Sequence, residues 1–179
     1  MNIRTATLQD AEQLLTIYAY YIQNSTATFE CEIPSLDTFK KRIQLILKTH
    51  PYIVVEENGS IIGYAYAHPL NERTAFQWSA EISIYLSSEI TGKGIGNALY
   101  SRLESILKQQ NIVNIMASIT EENTTSITFH ERRGFSQVGL FKNVGFKFGR
   151  WLNNCWMQKT IGDDSKPNSF ILFSNLSES

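Results

Sequence analysis

The chain has 179 residues, of which 42% are hydrophobic and 12% aromatic, and this suits one globular domain long enough to bury a core. Its 16 basic and 17 acidic residues leave a net charge of −1, which excludes a general nucleic-acid or membrane surface, so any anion site must be local. Cys31 and Cys155 lie far apart in no metal spacing, His50, His68 and His130 are too scattered for zinc, and neither a signal peptide nor a run of about 18 apolar residues is present, so a soluble, cytoplasmic, metal-free protein is expected.

Met1 to Ala6 reads as a short strand. Thr7 is placed to cap a helix, with Asp10 three positions on as an acidic variant of the capping box. Ala11, Leu14, Leu15, Tyr18, Tyr21 and Ile22 recur at helical spacing and mark its buried stripe. The polar run Asn24 to Thr28 ends that helix, and a loop starting at Phe29 and Glu30 runs to Pro34. Ser35 caps a second helix whose inward face is Phe39, Ile43, Ile46 and Leu47. A loop between two early helices can roof an acceptor pocket, which makes Phe29 a candidate wall; an aromatic packed on the core is the equal alternative.

Tyr52 to Glu56 and Ile61 to His68 form two strands around Asn58-Gly59, a strong hairpin signal. His68, near the end of the second, is read as structural. Arg73 stands in the connection to the next strand, where Glu81, Ser83 and Tyr85 share one face and Ile82, Ile84 and Leu86 the other. One face is core; the polar one can line a cleft.

Thr91-Gly92-Lys93-Gly94-Ile95-Gly96-Asn97 follows, a glycine-rich turn where a helix begins. Glycines there let a ligand approach backbone N–H groups and the positive end of the helix dipole, an arrangement suited to a pyrophosphate. Lys93 followed by Gly94 fails the Walker spacing, and Asn97 stands where a dinucleotide fingerprint needs its third glycine. A plain structural turn remains the alternative, with Lys93 as a solvated charge.

Ile95, Leu99, Leu103, Ile106 and Leu107 make the ensuing helix amphipathic, and Ile112 to Ile119 reads as a strand reached by a crossover, hence with a parallel neighbour. Asn123 to Arg133 is a short helix stopped by Gly134. Phe135 to Lys147 and Phe148 to Lys159 can pair as closing strands, with Gly145 and Gly149 relieving the turn. The run Asp163 to Ser179, rich in Ser and Asn but carrying Phe170 to Phe173, is a tail expected to lie outside the domain of residues 1–161 and to dock on it or on a second subunit.

Two of these stretches resemble the GNAT acetyltransferases. The turn 91–96 is similar to their Gln/Arg-x-x-Gly-x-Gly/Ala pattern, with Thr91 in place of Gln or Arg. The run from Asn123 through His130 to Gly134-Phe135 is similar to their second signature, with His130 where most members carry tyrosine. Arg73 to Glu81 and Gly145 to Leu152 look like the branch acting on phosphinothricin and methionine sulfoximine, although Phe76 stands where relatives often have tyrosine.

The resemblance implies an α/β fold of about seven mixed strands and about four helices, and acetyl-CoA as co-substrate. Glu81 is then the general base, and His130, or its rival Tyr85, the acid for the leaving thiolate. Burial must raise the Glu81 pKa for that task. Ile84, Tyr85 and Leu86 would hold the pantetheine arm and thioester oxygen through their backbone. Residues Thr91 to Asn97, with Asn123 and Ser126, would hold the rest of coenzyme A. Arg73 would pair with the acceptor carboxylate, beside Phe29 and Phe76. The bland alternatives are a solvated Glu81, a core His130 and a surface Arg73. A homodimer is implied, and the role would be detoxification or herbicide resistance. Other acceptors (a polyamine, an antibiotic, a protein N-terminus) and a non-catalytic acyl-CoA sensor stay open.

Overall fold

The computed structural model describes residues 1–90 and 94–176. Its centre is a seven-stranded mixed sheet in the order β1-β2-β3-β4-β5-β7-β6. The strands are β1 (Asn2–Thr5), β2 (Tyr52–Glu57), β3 (Ser60–Pro69), β4 (Ser79–Leu86), β5 (Asn114–Thr120), β6 (Ser136–Lys147) and β7 (Arg150–Thr160). Among the described residues four α-helices flank it: α1 (Ala11–Asn24), α2 (Leu36–Thr49), α3 (Ile95–Gln109) and α4 (Thr124–Glu131). This is the α/β architecture read from the sequence.

Period-two alternation divides the core between the two faces of the sheet. Tyr52, Val54 and Tyr64 pack with α1 and α2, whereas Ile53, Val55, Ala80 and Ile82 pack with α3. On β4 this sends Glu81, Ser83 and Tyr85 toward the α1–α2 side.

The first helix opens as a 3₁₀ turn, Leu8–Asp10, before α1. The Thr7 N–H donates to Asp10 Oδ2 at 2.7 Å, and Arg4 donates two bonds to the same carboxylate at 2.7 and 2.8 Å. Charge-assisted, two-pronged bonding of this kind ties the edge strand to the helix start. At the other end of the sheet Phe148 and Gly149 both take positive φ, +52° and +73°, the geometry of a two-residue hairpin turn. Gly145, expected to relieve that turn, does something else. A Cβ there would lie 2.2 Å from carbon atoms of the Phe29 ring, so Gly145 is the seat on which the α1–α2 loop rests.

The C-terminal segment runs back over the body of the protein. The Trp78 indole donates to the Asn168 carbonyl at 2.6 Å, and Gln110 Nε2 bridges the Thr49 and Ile171 carbonyls at 2.7 and 2.8 Å. Phe170, Phe173 and Leu176 pack against the α3-side core.

Candidate active site

The site is built where β4 and β5 part. They pair in parallel at Ser79–Asn114, Ala80–Ile115 and Glu81–Met116, and β4 then continues to Leu86 without β5. The antiparallel ladder to β3 decides which groups are left over. Leu70 N donates to Ser79 O at 3.2 Å and Ser87 N to Ile62 O at 2.9 Å. With alternating pairs, Glu81, Ser83 and Tyr85 exchange main-chain bonds with β3, while Ile82, Ile84 and Leu86 face the other way; the Ile82 N–H belongs to the last β5 pairing, and Ile84 and Leu86 turn their N–H and C=O groups toward the gap.

That gap is a cavity of about 450 Å³, walled by Ile82–Leu86 on one side and Ala117–Ile119 on the other. Gly96, Asn123, Ser126, Phe129 and His130 close it from the helices, and Tyr20, Tyr21 and Ala27 stand on the α1 side. Tyr21 donates its hydroxyl to the Leu86 carbonyl at 2.8 Å, which occupies that acceptor in the gap.

Glu81 is not itself in the cavity lining; it stands at the last paired position, just before the lining run Ile82–Leu86, and its half-buried carboxylate is pushed above its ordinary range by burial, with His68 pulling it back. His68, read as structural from the sequence, pairs with Glu81 across β3 and β4 and brings Nε2 to 3.7 Å from Oε2. No local sequence signal marks this, because His68 and Glu81 meet only through strand register.

His130 is buried and lines the cavity. Its Nδ1 lies 2.8 Å from the Ser126 carbonyl, which places the proton on Nδ1 and leaves Nε2 as an acceptor. Burial lowers its pKa against the opposing effect of that carbonyl, with Arg133 lowering it further. Tyr85 also lines the cavity, packed edge-on to Tyr18 and Tyr21 at 5.2 Å each, and burial holds its phenol well above the usual range. Burial thus disfavours the charged form of both groups, the imidazolium of His130 and the phenolate of Tyr85.

Thr91, Gly92 and Lys93 lie outside the described residues. Gly94 caps α3 in the left-handed region at φ +70°, and Ala98 N makes the first helical bond to Gly94 O at 3.1 Å. The N–H groups of Ile95, Gly96 and Asn97 are thus without intrahelical partners, as an anion at a helix start requires. The Ile95 side chain is buried in the core, so only its backbone faces that end. Gly96 serves packing as well: a Cβ there would meet the Phe129 ring at 3.2 Å.

Asn123 caps α4, its Oδ1 accepting from Ser126 N at 3.2 Å. An open groove of about 800 Å³ continues outward between α3 and α4 past Asn97, Thr128, Arg132 and Arg133. The Arg133 guanidinium lies 3.3 Å from the Phe129 ring centroid and donates to the Phe129 carbonyl. The two arginines lie inside the second signature, but the sequence reading gave them no role.

The acceptor-side residues are not gathered in the cavity. Phe29 packs on Gly145, and Arg73 and Phe76 are exposed on the segment leading into β4. Among the described residues no cluster of three or more His, Cys, Asp or Glu could hold a metal, and no helix is long and apolar enough to cross a membrane.

A splayed parallel pair, free β4 amides and a glycine-capped helix at one end of the gap define an acyl-CoA-type transferase site. Comparison with known proteins agrees: the acetyltransferase (GNAT) domain model matches residues 3–156, and the chain belongs to that acetyltransferase family.

Within it, the chain is 36% identical over 174 residues to a phosphinothricin N-acetyltransferase of Alcaligenes faecalis, covering 93% of this chain and 86% of that one. It is 30% identical over 172 residues to an L-methionine sulfoximine/L-methionine sulfone acetyltransferase of Salmonella typhimurium, covering 94% and 99%. The crystal structure of a GNAT superfamily phosphinothricin acetyltransferase from Sinorhizobium meliloti in complex with acetyl-CoA is similar at a TM-score of 0.90 and 37% identity, over 99% of this chain and 98% of that one.

Proposed function

We propose that this chain moves the acetyl group of acetyl-CoA to the α-amino group of a small amino-acid analogue, with phosphinothricin, L-methionine sulfoximine and methionine sulfone as acceptors. The observation that carries the reading is the end of β4–β5 pairing at Glu81, which puts a carboxylate of raised pKa one residue before the β4 run that walls the cavity, Ile82–Leu86. Acetyl-CoA would supply the activated acetyl thioester. Residues 1–161 form the transferase domain in this reading.

Glu81, directly or through one water, takes a proton from the acceptor ammonium and leaves a free amine lone pair. The Ile84 and Leu86 N–H groups are the donors available to a carbonyl oxygen on which negative charge develops. Tyr85, protonated and lining the cavity, is a proton donor available to the departing thiolate, and the neutral His130 accepts a proton from the nitrogen being acylated. Along the cofactor path, the amides at the start of α3 take the pyrophosphate together with Lys93, and Asn123 and Ser126 line the arm. Arg73 pairs with the acceptor carboxylate, and Phe29 and Phe76 shape the approach on that side.

Acetylation removes the ammonium charge from a glutamate mimic, so the role is detoxification in the cytoplasm, with herbicide resistance as its outward effect. Free-thiol release from acetyl-CoA that depends on methionine sulfoximine or phosphinothricin is the expected result. Coenzyme A binding without turnover on any of these acceptors would keep the fold and remove the substrate.

A homodimer belongs to the same reading. Val138, Phe141, Val144, Phe146, Phe148 and Trp151 are each more than half exposed on the β6–β7 hairpin at the sheet edge, with the Phe146 and Trp151 rings in contact, and exposed apolar groups gathered on one element support an interaction surface there. Light scattering should return twice the chain mass of 20.4 kDa; a strictly monomeric, active protein would refute the dimer.

A further inference from the structure

Glu81 removes one proton from the acceptor in every turnover and must lose it before the next. Its surroundings supply a route. His68 stands directly across from it, Nε2 at 3.7 Å from Glu81 Oε2, with the carboxylate side chain 21% and the imidazole side chain 35% accessible. The His68 Nδ1 lies 3.0 Å from the Pro69 carbonyl, an acceptor only, so Nδ1 carries the proton and Nε2 offers its lone pair toward the carboxyl group.

We infer that His68 acts through Glu81 as a relay and positioning residue, accepting at Nε2 the proton that Glu81 has taken from the acceptor ammonium and releasing it to solvent. This rests on the reading of Glu81 as the base. The proton balance closes. The ammonium N–H bond breaks as the Glu81 O–H bond forms; that O–H bond then breaks as the Nε2–H bond forms; the resulting imidazolium gives its proton to water, and both groups return to their starting state.

Other groups near Glu81 do not offer this path. Tyr66 of β3 faces it, but burial and the nearby Glu81 charge raise its phenol, outweighing the Ser83 side-chain hydrogen bond that lowers it, so it holds its proton. Glu30 and Arg42, which act on Tyr66 from the α1–α2 side, are paired with each other at 2.5 Å. Met116, the β5 partner of Glu81, does not titrate. His68 combines ion-pair proximity to the carboxylate, a 3.7 Å gap that closes to hydrogen-bond distance for the transfer, with access to water.

The test compares His68→Ala, His68→Gln and Glu81→Gln with the unaltered protein, following thiol release at saturating acetyl-CoA and methionine sulfoximine. Both His68 variants should lose about tenfold in kcat, less than the roughly 10²-fold or more of a direct acid–base group. The KM for acetyl-CoA should stay unchanged. Added imidazole should restore His68→Ala saturably, above any effect that it has on the unaltered protein.

Normal kcat in both His68 variants beside an inactive Glu81→Gln overturns the relay and leaves the base standing. Turnover retained in Glu81→Gln overturns the base and the relay with it. A loss that imidazole does not restore marks a packing role and also overturns the relay.

Discussion

Glu81→Gln is expected to lower kcat by about 10²–10⁴-fold, the range for removal of a positioned acid–base group. Glutamine keeps the shape and one acceptor oxygen but cannot take a proton from an ammonium. The carboxylate sits where β4 loses β5 as a partner, so the substitution touches no ladder bond of the site. Acetyl-CoA binding should therefore persist, seen as an unchanged thermal shift with the co-substrate.

The pH dependence of the unaltered protein should agree in sign. Burial raises the Glu81 pKa above its ordinary value, against the pull of His68. kcat/KM is accordingly full above that raised value and falls as pH drops through it, because the protonated carboxyl is no base. In Glu81→Gln this acid limb should vanish from the residual rate. A variant that turns over normally with the same limb would pass the base role to the neutral His130 Nε2.

Lys147→Met is expected to destabilise the protein and weaken acceptor binding together. Lys147 is buried at the end of β6, and its Nζ donates to the Ser25 and Thr28 carbonyls at 2.8 Å each. Both carbonyls belong to the α1–α2 connection. Burial lowers its pKa, with Cys31 and Glu30 opposing. The same connection is held by Thr120, whose hydroxyl donates to the Thr26 carbonyl, and by the Tyr18–Thr28 hydroxyl pair at 2.8 Å.

Methionine fills the space of the lysine stem but leaves two carbonyls without their donor. The cost is about 2–4 kcal/mol for charge-assisted bonds, or a fall in Tm of about 5–15 °C for a chain of this size. The connection also sets Ala27 at the cavity edge and Phe29 on Gly145. The KM for the acceptor should therefore rise by about tenfold, a change of about 1.4 kcal/mol, with the KM for acetyl-CoA little altered. Lys147→Arg should recover part of both effects. Unchanged Tm and KM would mean that the loop is held without this lysine.

Much of the fold was legible because it is written in local signals. Thr7 with Asp10, the period of α1 and α2, Asn58-Gly59 and the crossover through α3 each depend on residues a few positions apart, and each recurs in the structure. The cavity-lining set Ile84, Tyr85, Leu86, Asn123, Ser126 and His130 was legible for a related reason, since alternation on one strand and spacing on one short helix aim side chains and amides predictably. Gly145 misled because a glycine near a hairpin resembles a turn residue, and nothing nearby in sequence shows the Phe29 ring lying over it.

Sequence alone thus determined the element order, the glycine-capped helix and Glu81, Tyr85 and His130 as candidates for proton transfer, all consequences of covalent spacing and side-chain chemistry. Tertiary structure decided where β4 and β5 stop pairing, that His68 meets Glu81, and that Lys147 holds a loop some 120 residues away. These are matters of strand register and long-range packing. A one-residue slip would reverse every side chain on a strand, so they are settled only when the whole sheet closes.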